Sequence, residues 1–525
     1  MGLSIFSLLK LLKMSKLNFM NSIKVENPKS SVFDLTHDVK LSCNMGLLVP
    51  TMVMDCVPGD KIDISQDALV RFAPLISPMY QRVKVTFHTW AVPYRILWDN
   101  WEKYITETKT AGVLPAFPYI TMLNGGGNYT PLADYLGIPN PANNPGASED
   151  ERISAMRFAA YQCIYNNFYR DENLVTQDWT TLVDGDNTAV SGLTNIRRRA
   201  WLHDYFTSNL PFAQKGEAVK MPVTFDDVPV KMNENFYPGE TDVTLTGVTV
   251  PGGTTTNFNV KTEPPSASVT EDMFANTAAM GSITNINDFR LAYQLQRYLE
   301  RAARSGTRLV EWIKGMFGVT LPDYTAQIPQ YIGGSVSPVQ ISEVLNTAGT
   351  VGELPQGNMA GRGLSVAQGR NGKYYAREHC VILTLMSITP ETTYAQGLDR
   401  EWLKINDPKD FMNPMFAHLG EQETKVKEIY AYTVNGDNTF GYLPRYSEYR
   451  TIPSRLAGEF RTTLDYWTQA RLFSTEPALN KQFIECDPTH RVFADTDPAT
   501  QKLYVHCLNK VRAVRPLPKY GTPSL

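Results

Sequence analysis

From Arg82 to Val92, residue character alternates with a period of two. Val83, Val85, Phe87, Thr89 and Ala91 fall on one face, and Lys84, Thr86, His88 and Trp90 fall on the other. That alternation predicts a half-buried strand. The same reading applies to Leu503–Val514, where Leu503, Val505, Cys507, Val511 and Ala513 are expected to face a core. His506, Lys510 and Arg512 then share the outer face. A third strand is predicted over Cys380–Ile388, and residues 32–92 as a whole read as strands and turns, with Pro58-Gly59-Asp60 as a turn.

Helical periodicity appears in three places. Ser148-Glu149-Asp150-Glu151 has the form of a capping box, and the stretch from there to Tyr169 is apolar on nearly every side, which predicts a largely buried helix. Phe289, Ala292, Leu295, Leu299 and Ala302 form one stripe, with Asn287 as its N-cap and Gly306 as its stop. A shorter helix is expected over Leu309–Phe317, ending at Gly318. Residues 97–147 and 331–372 are rich in Gly, Pro and Ser and read as loops. No parallel βαβ repeat emerges, so the pattern favours an antiparallel β-core decorated by long loops.

Four regions follow from this pattern. Residues 1–16 form an N-terminal extension, residues 17–220 the first part of a β body, residues 221–281 an insertion, and residues 282–525 the remainder with a basic tail. The insertion is Thr-rich and acidic. Asp226, Asp227, Glu234, Glu240, Asp242, Glu263, Glu271 and Asp272 stand against only Lys231 and Lys261, as expected of strands projecting from a compact body. In residues 1–16, Leu3, Phe6, Leu9 and Leu12 lie among Lys10, Lys13 and Lys16. An amphipathic surface helix and an over-called start, with the native chain beginning at Met14, both stand open.

Composition narrows the function classes. The chain has 525 residues, 42% of them hydrophobic and 20% charged, which excludes a disordered chain. A net charge of −3 excludes binding of nucleic acid through bulk positive charge. No apolar run is long enough to span a membrane. The six cysteines are scattered without CxxC or zinc spacing and are expected to be free, mostly buried thiols in a reducing cytoplasm.

Catalytic and cofactor motifs are missing from the sequence: there is no phosphate loop, HExxH or GxSxG. Asp184-Gly185-Asp186 lacks the later ligands of a calcium loop and reads as a turn. Glu378-His379-Cys380 places acid, base and nucleophile on neighbouring strand positions, which point to opposite faces. No catalytic, cofactor-binding or metal-ligating residue is therefore assigned.

Two regions carry a weaker signal. Between Tyr442 and Phe473 aromatic residues interleave with Arg445, Arg450, Arg455, Arg461 and Arg471. Such a pattern suits protein interfaces and also single-stranded nucleic acid, whose bases stack on rings while guanidinium groups hold phosphates. From Lys502 to the C-terminus there are five basic residues (Lys502, Lys510, Arg512, Arg515, Lys519) and no acid. A basic strand face and an acidic insertion give the molecule two electrostatically different sides.

Long ordered segments then resemble a known family. FDLTHDVKLSCNMGLLVP (33–50), PGDKIDISQDALVRFAPLISPMYQRVKVTFHTWAVPYRILWDNWEKYIT (58–106), HDYFTSNLPFAQKGEAV (203–219), YLPRYSEYRTIPSRLAGEFR (442–461) and VRAVRPLPKYGTPSL (511–525) are similar to the major capsid proteins of the Microviridae, nearest the gokushovirus-like branch. The resemblance runs from about residue 17 to the C-terminus.

It implies a mainly β fold, an eight-stranded antiparallel jelly roll of viral capsid type with long inter-strand insertions containing a few helices. It also implies a T=1 shell of sixty copies around circular single-stranded DNA, assembled in the bacterial host cytoplasm. The implied partners are a small basic DNA-binding protein, a pilot protein, an internal scaffolding protein and a host surface receptor. By position, residues 221–281 are the expected threefold protrusion. Sixty chains of net charge −3 cannot neutralise a genome with one charge per nucleotide, so only sparse DNA contact is expected. Lys510, Arg512, Arg515, Lys519, Arg445, Arg450 and Arg455 are the candidates for it. Competing readings are a secreted carbohydrate-binding jelly roll (a lectin or adhesin) and a jelly-roll glycosidase, for which no carboxylate pair can be singled out.

Overall fold

A computed structural model gives the fold. It describes residues 29–217 apart from 110, 111, 145 and 147, then residue 219, the short segments 224–225, 230–232, 273–275 and 282–283, and residues 286–347 and 357–520. The chain divides into two units, residues 1–213 with 319–525, and residues 214–318.

The first unit is built on two antiparallel sheets. Their strands are β1 (Ser31–Asp34), β2 (His37–Cys43), β3 (Val49–Cys56), β4 (Lys61–Phe72), β5 (Val83–Pro93), β6 (Gln330–Pro338), β7 (Gln340–Leu345), β8 (Met359–Tyr375), β9 (Cys380–Pro390) and β10 (Leu503–Arg515). In sheet one, β1 and β2 both pair with β10, and the order continues β10–β4–β8–β7. Sheet two runs β6–β5–β9–β3. The structure is therefore mainly β with helical insertions, consistent with a jelly-roll-like fold.

The facing surfaces of the two sheets make the core. Ile64, Val70, Ala367, Val505 and Val511 of sheet one meet Val85, Phe87, Ile382, Met386 and Ile388 of sheet two within two apolar clusters. A buried polar chain also crosses between the sheets. Gln66 Nε2 donates to Asn509 Oδ1 (2.6 Å), and Asn371 Nδ2 donates to Gln66 Oε1 (2.8 Å) and Thr89 Oγ1 (3.0 Å). Asn509 Nδ2 donates to the Thr51 carbonyl (2.9 Å), and Thr89 and Thr384 share a hydroxyl bond (2.9 Å). Slipping any of these strands would leave buried amides unpaired, so the chain fixes register as well as adding stability.

Sheet two is covered on its other face too. Residues 94–213 wrap it, and Trp90, Val92, Val381, Leu383 and Leu385 pack with the helix α1 (Met156–Phe168) and its neighbours. Every residue of β9 is buried. This corrects the half-buried strand expected over Arg82–Val92: β5 keeps its alternation, but only Lys84 and His88 are less than fully buried.

Two further corrections concern local signals. The capping box at Ser148–Glu151 does not start a helix. Glu151–Ser154 instead pairs as a strand with Tyr119–Met122, and α1 begins after Ala155 with no side-chain cap. Burial on nearly all sides secures α1 in place of its cap. Residues 331–372, expected as loops, contain β6, β7 and most of β8. Their glycines serve close approach: a Cβ on Gly333 would lie 1.8 Å from the Asn371 carbonyl oxygen, and one on Gly363 would lie 2.6 Å from the Phe72 ring.

The second unit holds α2 (Ile286–Ser305) and α3 (Leu309–Phe317), the latter closed by Gly318 at φ 72° as expected. α2 starts one residue before the predicted cap, buries Ala302 and Ala303, and leaves Phe289 and Leu295 exposed. Residues 230–232 pair with 273–275, and 224–225 pair with 282–283, so the insertion leaves and returns along two antiparallel stems. Asp226, Asp227, Glu234, Glu240, Asp242 and Glu263 lie outside the described residues, as does the 1–16 extension.

Candidate functional site

The motifs that suggested chemistry resolve into structural roles. Asp184 accepts from Trp98 Nε1 (2.6 Å) and Asn100 Nδ2 (3.1 Å), and the turn at Gly185 has φ +78°. Glu378 pairs with Arg95 (2.7 Å), His379 packs edge-on against Trp101, and Cys380 is buried in sheet two, so the three do not converge. All six cysteines are free and five are buried. Burial pushes the thiols of Cys43, Cys163 and Cys507 up to about 12, which makes them poor nucleophiles. Among the described residues no group of three His, Cys, Asp or Glu side chains could hold a metal ion, and no helix is long and apolar enough to cross a membrane.

What remains is the open face of sheet one. Strand register aligns its outward residues in rows. One row is Lys373–Asp63–Arg512–Asp34, the next Arg370–Ser65–Lys510, then Gln368–Asp67–Leu508–Asp38 and Val366–Leu69–His506–Lys40. Arg71 stands beside Tyr504, Lys61 beside Val514, and Arg362 opposite Ser342. Eight cations (Lys40, Lys61, Arg71, Arg362, Arg370, Lys373, Lys510, Arg512) thus face four carboxylates (Asp34, Asp38, Asp63, Asp67) on a chain whose net charge is −3.

The acids are shared among the cations. Asp63 takes both Arg370 (3.2 Å) and Lys373 (3.7 Å), Asp67 takes Lys510, and Asp38 lies 3.4 Å from His506. All are exposed or half-buried pairs, worth little to stability individually. The surplus positive charge stays open to solvent.

The predicted basic residues divide accordingly. Lys510 and Arg512 stand on this face, as the alternation of β10 required. Arg515 does not share their situation. It turns inward, with Nε 3.4 Å from the fully buried Asp60 and Nη2 donating to the Asp55 carbonyl (2.8 Å). Lys519 is exposed next to Tyr520. Lys502 is buried and holds Asp495 at 2.8 Å.

In the Tyr/Arg stretch, Arg445 is half-buried and donates to the Lys409 carbonyl, while Arg450 and Arg455 are exposed. Arg471 lies 4.0 Å over the Phe483 ring and donates to the Phe483 carbonyl, an internal clamp. The sequence reading missed Arg71, Lys61 and Lys40. The alternation of KIDISQDALVRF could have found the first two, because it is as regular as that of β10. Arg362 and Arg370 were hidden by reading residues 331–372 as loops.

Comparison with known proteins covers nearly the whole chain. A profile of the family described as "Capsid protein (F protein)" matches residues 22–525. The chain is 33% identical to "Capsid protein VP1" of Chlamydia phage 1, over 97% of this chain and 98% of that protein. It is 33% identical to "Capsid protein VP1" of Bdellovibrio phage phiMH2K over 94% and 95%. It is 30% identical to "Capsid protein VP1" of Spiroplasma virus 4 over 98% and 99%. Similarity of this extent includes both sheets and their insertions, and it assigns the chain a structural rather than an enzymatic role. The chain belongs to the capsid protein (F protein) family and is a capsid protein of the Microviridae type.

Proposed function

We propose that copies of this chain close into a T=1 shell of sixty around circular single-stranded DNA, with the open face of sheet one turned toward the genome. The observation that carries this reading is the surplus of cations on that face in a chain that is acidic overall. A face of this kind gives local attraction to phosphates without turning the subunit into a general nucleic-acid binder.

The strand order supports an eight-stranded jelly roll in which β2, β10, β4 and β8 oppose β3, β9, β5 and β6. Among these eight strands the chain crosses from one sheet to the other at every step except β5 to β6, which pair directly within sheet two, as two interlocked Greek keys require. Residues 221–281 are assigned to a host-facing protrusion on their acidic, Thr-rich composition. A small basic protein, a pilot protein and an internal scaffolding protein complete the assembly in the host cytoplasm. The DNA-binding protein supplies most of the neutralising charge.

Replacing Arg71, Lys510 and Arg512 together with Gln tests the genome-facing assignment. Arg515 is left intact because its loss would strand buried Asp60. Packaged DNA, read from the ultraviolet absorbance ratio of purified particles, is expected to fall while particle yield holds. Normal genome content would refute the assignment. A purified species near 59 kDa that never forms megadalton particles with its viral helpers would refute the shell itself.

A further inference from the structure

A second surface of the first unit has the opposite character. Two loops, residues 399–419 and 446–453, carry large apolar side chains into solvent: Trp402, Ile405, Phe411, Met415, Tyr449 and Ile452, with Ile405 81%, Met415 84% and Ile452 89% exposed. The loops are adjacent. Met412 N–H donates to Tyr449 Oη (3.4 Å), the Lys404 ammonium lies 3.9 Å from the Tyr449 ring centre, and the Tyr446 hydroxyl donates to the Lys409 carbonyl (3.0 Å). Ile452 and residues 399–401 line one cleft, and Trp402 and Pro453 line the next.

Solvent-exposed apolar loops would collapse unless held. Here buried charge holds them. Arg400 Nη1 donates to Glu428 Oε1 (3.0 Å) and to the Glu423 carbonyl (2.6 Å), and Tyr205 Oη donates to Glu428 Oε2 (2.8 Å). Lys404 Nζ lies 3.6 Å from Glu448, which also accepts from Gln422 Nε2 (2.8 Å). Glu428 and Glu448 are only 3% and 7% exposed. A buried ionic network is weak as a source of stability but effective at fixing one arrangement. The loops are therefore set in place before anything binds, which lowers the ordering cost of association.

We propose that this patch is a subunit–subunit contact, seated on a second copy of the same chain. The inference rests on the self-assembly reading above and adds where the contact lies. The six side chains expose on the order of 1,000 Å², against the roughly 800 Å² per partner of a stable interface. Patches of this size on a soluble chain mark association surfaces. Its aromatic and Met content suits a protein interface core, and its lack of surplus positive charge does not suit nucleic acid.

A photo-cross-linking residue at Trp402, and separately at Met415, tests this in the full chain expressed with its viral helpers. Equal amounts of light and heavy isotope chains are mixed before assembly. The expected product is a covalent dimer of mixed isotope content, joining the patch to a surface of another copy. Cross-links that stay within one chain, or that join a smaller virion protein, in particles that assemble normally would overturn the patch and leave self-assembly standing. Failure of the unsubstituted chain to form particles would overturn both. As a second arm, the paired change Met415→Ser and Ile452→Ser is expected to cut particle yield about tenfold or more with unchanged thermal unfolding. Wild-type yield from that variant would count against the proposal.

Discussion

Sheet one and sheet two both contribute one face to the same core, yet their second faces have opposite fates. The outer face of sheet two disappears beneath residues 94–213, so β9 can be apolar on both sides and reads CVILTLMSITP without alternation. The outer face of sheet one stays open, and β10 alternates residue by residue between Leu503, Val505 and Cys507 inside and Tyr504, His506 and Lys510 outside. Antiparallel sheets tolerate either arrangement. The difference separates two tasks: one sheet anchors residues 94–213, and the other presents charge.

The largest test of that contrast is a matched pair of truncations. Leu383→Ala removes a fully buried side chain between sheet two and α1 and is expected to cost about 2–5 kcal/mol. Val366→Ala, 62% exposed on sheet one, is expected to stay within about 0.5 kcal/mol. Denaturant unfolding of both variants reads the difference, and equal losses would erase the distinction between the sheets.

A smaller effect probes how the covering insertion is fastened. The Tyr161 hydroxyl on α1 donates to the Leu48 carbonyl (2.9 Å) and accepts from the Arg197 backbone N–H (2.9 Å), fully buried. Tyr161→Phe leaves both groups unpaired, with an expected loss of about 1–3 kcal/mol by the same measurement. An unchanged midpoint would mean that packing alone holds the insertion down.

The least of the three concerns pH. His88, on the covered face of β5, bonds through Nδ1 to Tyr169 Oη (2.7 Å), and burial together with the nearby Arg199 lowers its pKa from 6.5 to about 4. The folded value lies below the unfolded one. Its contribution is therefore complete above pH 6.5 and is lost as pH falls from 6.5 toward 4. The loss is expected to reach up to ~2 kcal/mol, given its partial exposure. Unfolding of wild type and His88→Gln at pH 7 and pH 4.5 checks it: the variant should show the shallower pH dependence.

Much of this was readable in advance. The alternation of β10 placed Lys510 and Arg512 outward because one face of that strand truly meets water. α3 spans Leu309–Phe317 and stops at Gly318, as expected. The glycine-rich run 331–372 misled for a physical reason. Glycine marks turns through its backbone freedom, but Gly333 and Gly363 are there because neighbouring strands leave no room for a Cβ. Arg515 misled in a different way, since a basic residue at the end of a basic strand gives no sign that a buried carboxylate lies beside it.

What the sequence determined by itself was the local periodicity, the lack of catalytic motifs and, through long ordered segments, the family. Those depend on neighbours along the chain or on residue identity alone. Tertiary structure alone decided which faces are covered, which arginines of sheet one stay exposed, and where two loops carrying exposed apolar side chains lie side by side. These follow from pairings between residues hundreds of positions apart, such as Lys510 with Asp67 across β10 and β4, and periodicity contains no information about a partner that far away.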